Sequence, residues 1–363
     1  MVSMSEWKDC KLEDVLLFGN GKVRPKDGGD IPIYGGNGIL DYGDSYNYKD
    51  ETIIIGRVGA YCGAVYYENR PVWISDNALS AKPTDNNSAK FLYYLLKNIN
   101  LNQFAEGSSH PLVTQTLLNS IDVQVPISLP EQRAIAGVIS SLDDKIDLLH
   151  RQNKTLEAMA EALFRQWFVE GANENWQEKP LSSVANFLNG LACQKFPPKN
   201  DIEKLPVLKI RELTSGITET SDCATSDIPS EYIVETGDVI FAWSASLMVK
   251  IWDGERCVLN QHLFKVTSKD YPKWFYLMWC SYHLAEFIAI SQSHATTMGH
   301  IKRSDLDKAL VLVPTDMELK YMTDIIQPLI EKQIYNTKQL KTLKHLRYRL
   351  LPKLMSGEVR VTN

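Results

Sequence analysis

The sequence is short of the features that mark membrane, secreted and nucleotide-driven proteins. Its longest apolar stretch, residues 274–290, is 17 residues long and carries His283 and Glu286. That is short for a bilayer span of about 20 residues, and it reads as a buried amphipathic helix. The opening MVSMSEWKDC turns polar and acidic at once, so no secretory leader is expected there. The six cysteines (Cys10, Cys62, Cys193, Cys223, Cys257 and Cys280) are scattered. None has a close partner at metal-ligand spacing, which points to reduced thiols, a cytoplasmic protein and no metal site. There is no Gly-x-x-x-x-Gly-Lys-Ser/Thr loop to hold a nucleotide. The Asn-Pro-Pro-Tyr and Asp-Pro-Pro-Tyr sequences by which amino-methyltransferases hold a target adenine are missing as well. Glu318-Leu319-Lys320 has the Glu-x-Lys form of metal-dependent nucleases, but Leu319 falls on a helical seam described below. The expectation is a chain with no catalytic site and no cofactor of its own.

Positive charge is also scarce. The net charge is −5, whereas simple DNA-binding modules are usually basic. The charge is uneven, however. Residues 1–127 hold 11 Lys and Arg against 15 Asp and Glu, while residues 315–363 hold 9 against 5. A reader of nucleic acid with this balance would lean on a more basic partner for phosphate contacts.

What the sequence does have is a duplication. WKDCKLEDV begins at Trp7 and WQEKPLSSV at Trp176, both of the form W-x-x-x-x-L-x-x-V. ETIIIGRVGAYCGAVYY from Glu51 and GDVIFAWSASLMVKIW from Gly237 each read as strand, small-residue turn and strand. On this reading Trp243-Ser244-Ala245-Ser246 takes the place of Gly56-Arg57-Val58-Gly59. A polar cluster follows in each copy, residues 75–79 and 259–263. Next comes an aromatic-rich helix, KFLYYLLKNIN and KWFYLMWCSYHLAEF, whose aromatics recur at helical spacing and read as core. A Ser, Thr and His loop and a strand closing on Pro126 or Pro314, 188 residues apart, complete the series.

After each proline the apolar residues step by four and three. The first series is Ile135, Ile139, Leu142, Ile146, Leu149, Asn153, Leu156, Ala160, Leu163 and Trp167. The second is Leu319, Met322, Ile326, Leu329, Gln333, Asn336, Leu340, Leu343, Arg347, Leu350 and Leu354. Such seams belong to coiled-coil helices. Each would run for roughly 36 residues, or about 54 Å. Neither can stand alone, and the natural partner of each is its duplicate, packed antiparallel. Pro328 should kink the second helix or bend its start. The polar seam residues Asn153, Gln333 and Asn336 either fix register or face solvent where the helices diverge.

These residues carry a likeness. LPEQRAIAGVISSLDDKID from Leu129, LFRQWF ending at Phe168, LLPKLMSGEVRV over residues 350–361 and the repeated W-x-x-x-x-L-x-x-V opening together resemble the specificity subunits of type I restriction–modification systems. The second helix begins differently, with Asp316-Met317-Glu318-Leu319-Lys320 in place of Leu129-Pro130-Glu131-Gln132. The resemblance implies an α+β fold with two target-recognition domains joined by two long helices in an antiparallel coiled coil, related by a pseudo-two-fold internal repeat. It divides the chain into residues 1–127, 128–170, 171–314 and 315–363. It implies a non-catalytic subunit whose domains each read one half of an asymmetric, split target in double-stranded DNA. The helices would set the spacer and dock two methyltransferase subunits, with restriction and translocase subunits beyond them and no membrane partner. A related methyltransferase-only or type II-like system, or a protein-binding coiled-coil scaffold, are the alternatives.

Candidate DNA contacts lie in polar and Gly-rich loops. In the first copy they are Lys22, Arg24, Lys26, Tyr34, Asn37, Arg57, Ser108, Ser109 and His110. In the second they are Lys195, Lys209, Arg211, Trp243, Asn260, Gln261, His262, Thr296, Thr297 and His300. Arg and Lys suit guanine, and Asn and Gln suit adenine, because donors and acceptors match. The same basic residues could instead only position phosphates. Asn77 and Asn260 could equally form turns by bonding their own backbone.

Overall fold

The computed structural model describes residues 6–26, 28–84, 86–107, 111–293 and 299–361. The chain forms two compact units, residues 1–145 with 343–363, and residues 146–342.

The first unit opens with β1 (Trp7–Lys11), α1 (Leu12–Val15), β2 (Leu16–Asn20), β3 (Ile31–Gly35) and β4 (Gly38–Gly43). It continues through β5 (Thr52–Gly56), β6 (Val65–Glu68), β7 (Trp73–Ile74) and β8 (Ala78–Pro83) to α2 (Ala89–Ile99), α3 (Gln115–Asn119) and β9 (Asp122–Pro126). Strands β2, β8, β5 and β6 form an antiparallel sheet in that order. A second sheet has the order β4, β3, β7, with β3 and β7 parallel. The β-branched run of β5 is buried along its whole length, as suits a strand covered on both faces. Ser88 caps α2 by accepting the Phe91 N–H at 3.3 Å, and Asn100 ends the helix in the left-handed region (φ 56°). Between these ends α2 buries Phe91, Leu92, Tyr94, Leu95 and Leu96 in the core, so its aromatics pack inside.

The second unit repeats the plan after α4 (Leu129–Arg165), with β10 (Gln177–Pro180), α5 (Leu181–Val184) and β11 (Asn186–Asn189). Then come β12 (Lys204–Leu208), α6 (Ile210–Ser215), β13 (Cys223–Thr225), β14 (Ile233–Val234), β15 (Val239–Ala242), β16 (Met248–Ile251), β17 (Cys257–Leu259) and β18 (Leu263–Thr267). Helices α7 (Lys273–Tyr282), α8 (Leu284–Ser293) and α9 (Arg303–Lys308), strand β19 (Leu310–Val313) and helix α10 (Asp316–Met355) complete it. The sheet β11, β18, β15, β16 repeats β2, β8, β5, β6. The parallel pair β12 and β17 repeats β3 and β7. The two-stranded pairs β1–β9 and β10–β19 also match. Even single hydrogen bonds recur: Leu12 N donates to Ile121 O at 3.0 Å, and Leu181 N to Ala309 O at 2.8 Å. The stretch expected to be one helix is two, with residues 274–282 in α7, 284–290 in α8 and His283 between them, and Trp274 through Cys280 are all buried. Among the described residues no helix is long and apolar enough to cross a membrane.

Each unit contains an antiparallel stretch of α4 against α10. In the second unit Asn153 meets Asn336 and Thr337, while Trp176, just past α4, donates its Nε1–H to Glu318 at 2.8 Å near the start of α10. In the first unit Arg347 pairs with Asp143 at 2.8 Å, and Leu350, Leu354 and Met355 pack with Ile135 and Ile139. Every seam residue of both series is buried or half-buried. Asn336 is fully buried and donates to Asn153 at 3.0 Å, so the two polar seam residues face each other rather than solvent. Helix α10 runs unbroken from Asp316 to Met355, with Pro328 and Pro352 inside it. The surrounding apolar seam keeps the helix despite the lost N–H. The start of α10 is also settled. Thr315 and Glu318 form a capping box, with Thr315 N donating to Glu318 Oε2 at 3.0 Å and Glu318 N donating to Thr315 Oγ1 at 3.4 Å.

Candidate nucleic-acid interfaces

In the first unit four loop segments converge on one edge of the sheets. Arg57 N donates to Asn77 O at 3.0 Å, and Val113 N donates to Arg57 O at 2.9 Å. Gly59 N donates to Pro111 O at 3.2 Å, and Val58 bridges to Leu112. The β3–β4 turn leans on the same place: a Cβ on Gly56 would stand 2.2 Å from Gly36 O, so only glycine allows that approach. Lys22 joins the edge through a bridge to Ser75. Lys22, Asn37 and Asn77 are exposed there and Arg57 is half-buried.

The second unit builds the same frame. Trp243 N donates to His262 O at 3.4 Å, Ile301 N to Trp243 O at 3.1 Å and Ala245 N to Gly299 O at 2.8 Å. Ser244 bridges to His300, and Leu191 to Asn260. These bonds correct the sequence alignment by one residue. Trp243 stands where Arg57 stands, and Ala245 (φ 56°) where Gly59 (φ 82°) stands. Asn260 likewise takes the place of Ser75, because Leu191 bridges to it as Lys22 does to Ser75. Equivalent short turns admit shifts of this size because their residues share no identity for the alignment to hold.

The side chains on the two frames differ. Trp243 stacks on Phe264 with centroids 5.6 Å apart and donates its Nε1–H to Asn189 at 3.1 Å. His262 Nδ1 lies 3.1 Å from Ser244 Oγ, its Nε2 lies 3.3 Å from the Gln261 amide, and the His300 ring stands edge-on to Trp243 at 6.2 Å. Trp243, Gln261, His262 and His300 thus come together in the second unit, as Lys22, Asn37 and Arg57 do in the first.

Other candidates sit elsewhere. Tyr34 lies in β3, is buried, and donates to Glu68 at 2.8 Å. Burial first, then that carboxylate, pushes its hydroxyl pKa up. It supports the edge from beneath and does not face solvent, because the strand extends further than its glycines suggested. Asn260 is buried and its Oδ1 accepts the His262 N–H at 3.4 Å, so it forms the turn. Arg24 is paired with Asp41. Lys209 is paired with Asp222, whose carboxyl it holds below the usual range. Arg211 binds the buried Glu212 at 2.7 Å. Burial alone would push the Glu212 carboxyl up, but hydrogen bonds from Arg211, its own backbone and Ser221 hold it down. Lys26 and Lys195 are exposed. Ser108, Ser109, His110, Thr296 and Thr297 lie outside the described residues.

Sequence reasoning passed over Asn20 and Asn189. Both precede a glycine, Gly21 or Gly190, and both present an oxygen at the edge. Asn20 accepts from Gln115 at 2.9 Å and Asn189 accepts from Trp243. The shared Asn-Gly dipeptide was the available signal.

Comparison with known proteins agrees with this architecture. The family described as type I restriction modification DNA specificity domain matches residues 4–158 and 173–345. The type I restriction enzyme MjaIX specificity subunit of Methanocaldococcus jannaschii is 26% identical over 408 residues, covering 98% of this chain and 94% of that protein. The type I restriction enzyme EcoBI specificity subunit of Escherichia coli is 26% identical over 194 residues, covering 52% of this chain and 40% of its own. The crystal structure of the type I restriction-modification system S subunit from M. genitalium superposes with a TM-score of 0.71 at 15% identity, covering 100% of this chain and 98% of that one. Two α+β units built on one plan, each with its own stretch of paired helices, and two matches to one domain family lead to one conclusion: the chain belongs to the type I restriction–modification DNA specificity family and carries that family's domain twice.

Proposed function

We propose that each unit reads one half of a split, asymmetric target in double-stranded DNA, and that the chain itself catalyses nothing. The observation that carries this reading is the edge frame built twice with the same backbone bonds but different side chains, Arg57 in one and Trp243 in the other. A repeated frame with unlike side chains suits two readers of unlike half-sites. On this reading residues 1–127 and 171–314 are the recognition domains, and residues 128–170 and 315–363 are the connecting helices. The helices fix the spacer and dock two methyltransferase subunits, to which restriction and translocase subunits add, in the cytoplasm. Joining two readers makes the second contact intramolecular, so two weak sites give useful affinity. The partners supply phosphate contacts that a chain of net charge −5 supplies sparingly.

The test is a map of genomic methylation with the gene present and deleted. A split, asymmetric motif that vanishes on deletion supports the reading. An unchanged methylation pattern in a strain that carries active modification subunits counts against it.

A further inference from the structure

We propose that Arg57 recognises a guanine in the half-site read by the first unit, which makes it a specificity-determining residue. The inference rests on the DNA-recognition reading above and adds the base. Its backbone is pinned on both sides, by Asn77 O at 3.0 Å and by Val113 N at 2.9 Å. Its side chain is half-buried, and among the described residues Nε is buried with no hydrogen-bond partner and the guanidinium forms no ion pair. Arg24 and Arg70 of the same unit, by contrast, are held by Asp41 and Glu68. A half-buried cation without a carboxylate is costly, and a ligand that brings acceptors removes that cost. Ser75 Oγ, fully buried on the same edge, also has no partner among the described residues.

The ligand is more specific than any phosphate. Asp76, next to Asn77 in the chain, is exposed on this edge and would repel a phosphate. A G·C pair suits both groups. Guanine shows the acceptors O6 and N7 to a guanidinium fork, and cytosine shows an N4 donor to a carboxylate. In the second unit Trp243 stands at the equivalent place. That half-site therefore has no guanidinium reader at this position.

The experiment selects a randomised duplex library on the full chain assembled with methyltransferase subunits, using wild type, Arg57→Ala and Arg57→Gln. The expected result is a split motif for wild type that contains a required guanine in one half. Both variants should lose that single preference by roughly 10- to 100-fold, with the other half unchanged. Wild-type protein on a duplex with 7-deazaguanine at that position should weaken similarly, a readout that needs no variant to fold. If both variants keep the motif and bind every duplex more weakly with a shallower salt dependence, Arg57 contacts phosphate and the proposal fails. A wild-type motif that tolerates 7-deazaguanine at every guanine of that half also overturns it. If wild type selects no motif at all, the recognition reading itself falls, which is a separate outcome.

Discussion

The side-chain amide of Asn336 donates to the side-chain oxygen of Asn153 at 3.0 Å, in the middle of the helix pair of the second unit. Asn336 is fully buried, also donates to Gln152 at 3.3 Å, and leaves its own Oδ1 without a partner among the described residues. A buried polar pair on a seam costs stability and fixes register. Asn336→Ala should therefore destabilise the protein by about 1–3 kcal/mol, since it leaves Asn153 with a lost partner. Replacing both residues with leucine should restore stability to wild type or above. Thermal melting of the three proteins checks this, and a double variant that melts below Asn336→Ala contradicts it.

A pH dependence follows from Glu318. Hydrogen bonds from the Thr315 side chain, the Thr315 backbone and Trp176 hold its carboxyl below the usual glutamate range. A depressed folded value means the stabilisation is present above the ordinary glutamate range and is lost as pH falls through the folded value. Glu318→Gln should cost roughly 0.5 kcal/mol at pH 7, since the carboxylate is screened by solvent and glutamine can still accept the Thr315 N–H. The gap to wild type should close in strongly acid solution. Denaturant titrations at several pH values measure it, and a gap independent of pH speaks against the capping role.

Backbone strain gives a third test. Ala245 holds a positive φ of 56° where the first unit has Gly59. Ala245→Gly should stabilise by up to about 1 kcal/mol, because glycine adopts that region freely. Gly190→Ala should do the opposite and more, since its Cβ would stand 2.3 Å from Asn260 O. Melting temperatures that move the other way, or not at all, would remove this account of the edge.

A small insertion in α4 should change the spacer between half-sites and leave the half-sites alone. Sequencing the recognised motif before and after decides it, and an unchanged spacer denies the helices a measuring role.

Much of this was legible in the sequence, for identifiable reasons. Buried strands such as β5 announce themselves by β-branched runs, and the seam from Ile135 to Trp167 by its period. The repeat order and the paired tryptophans gave the two-unit plan. The reading edge was harder. Which loops meet depends on long-range backbone bonds, such as Val113 to Arg57 and Ile301 to Trp243, that leave no local pattern. Charge alone could not separate Arg57 from Arg24, Lys209 and Arg211, because an ion pair with Asp41, Asp222 or Glu212 is invisible until the chain folds. Tyr34 is obscured for a related reason, since the glycines that follow it mask a buried strand residue.

The central claim is that each unit reads its own half of the target. The direct measurement replaces residues 171–314 with the matching domain of a relative and determines the recognised motif. The account predicts a hybrid motif, with one half changed and the other half kept. A motif in which both halves change, or neither does, would contradict it.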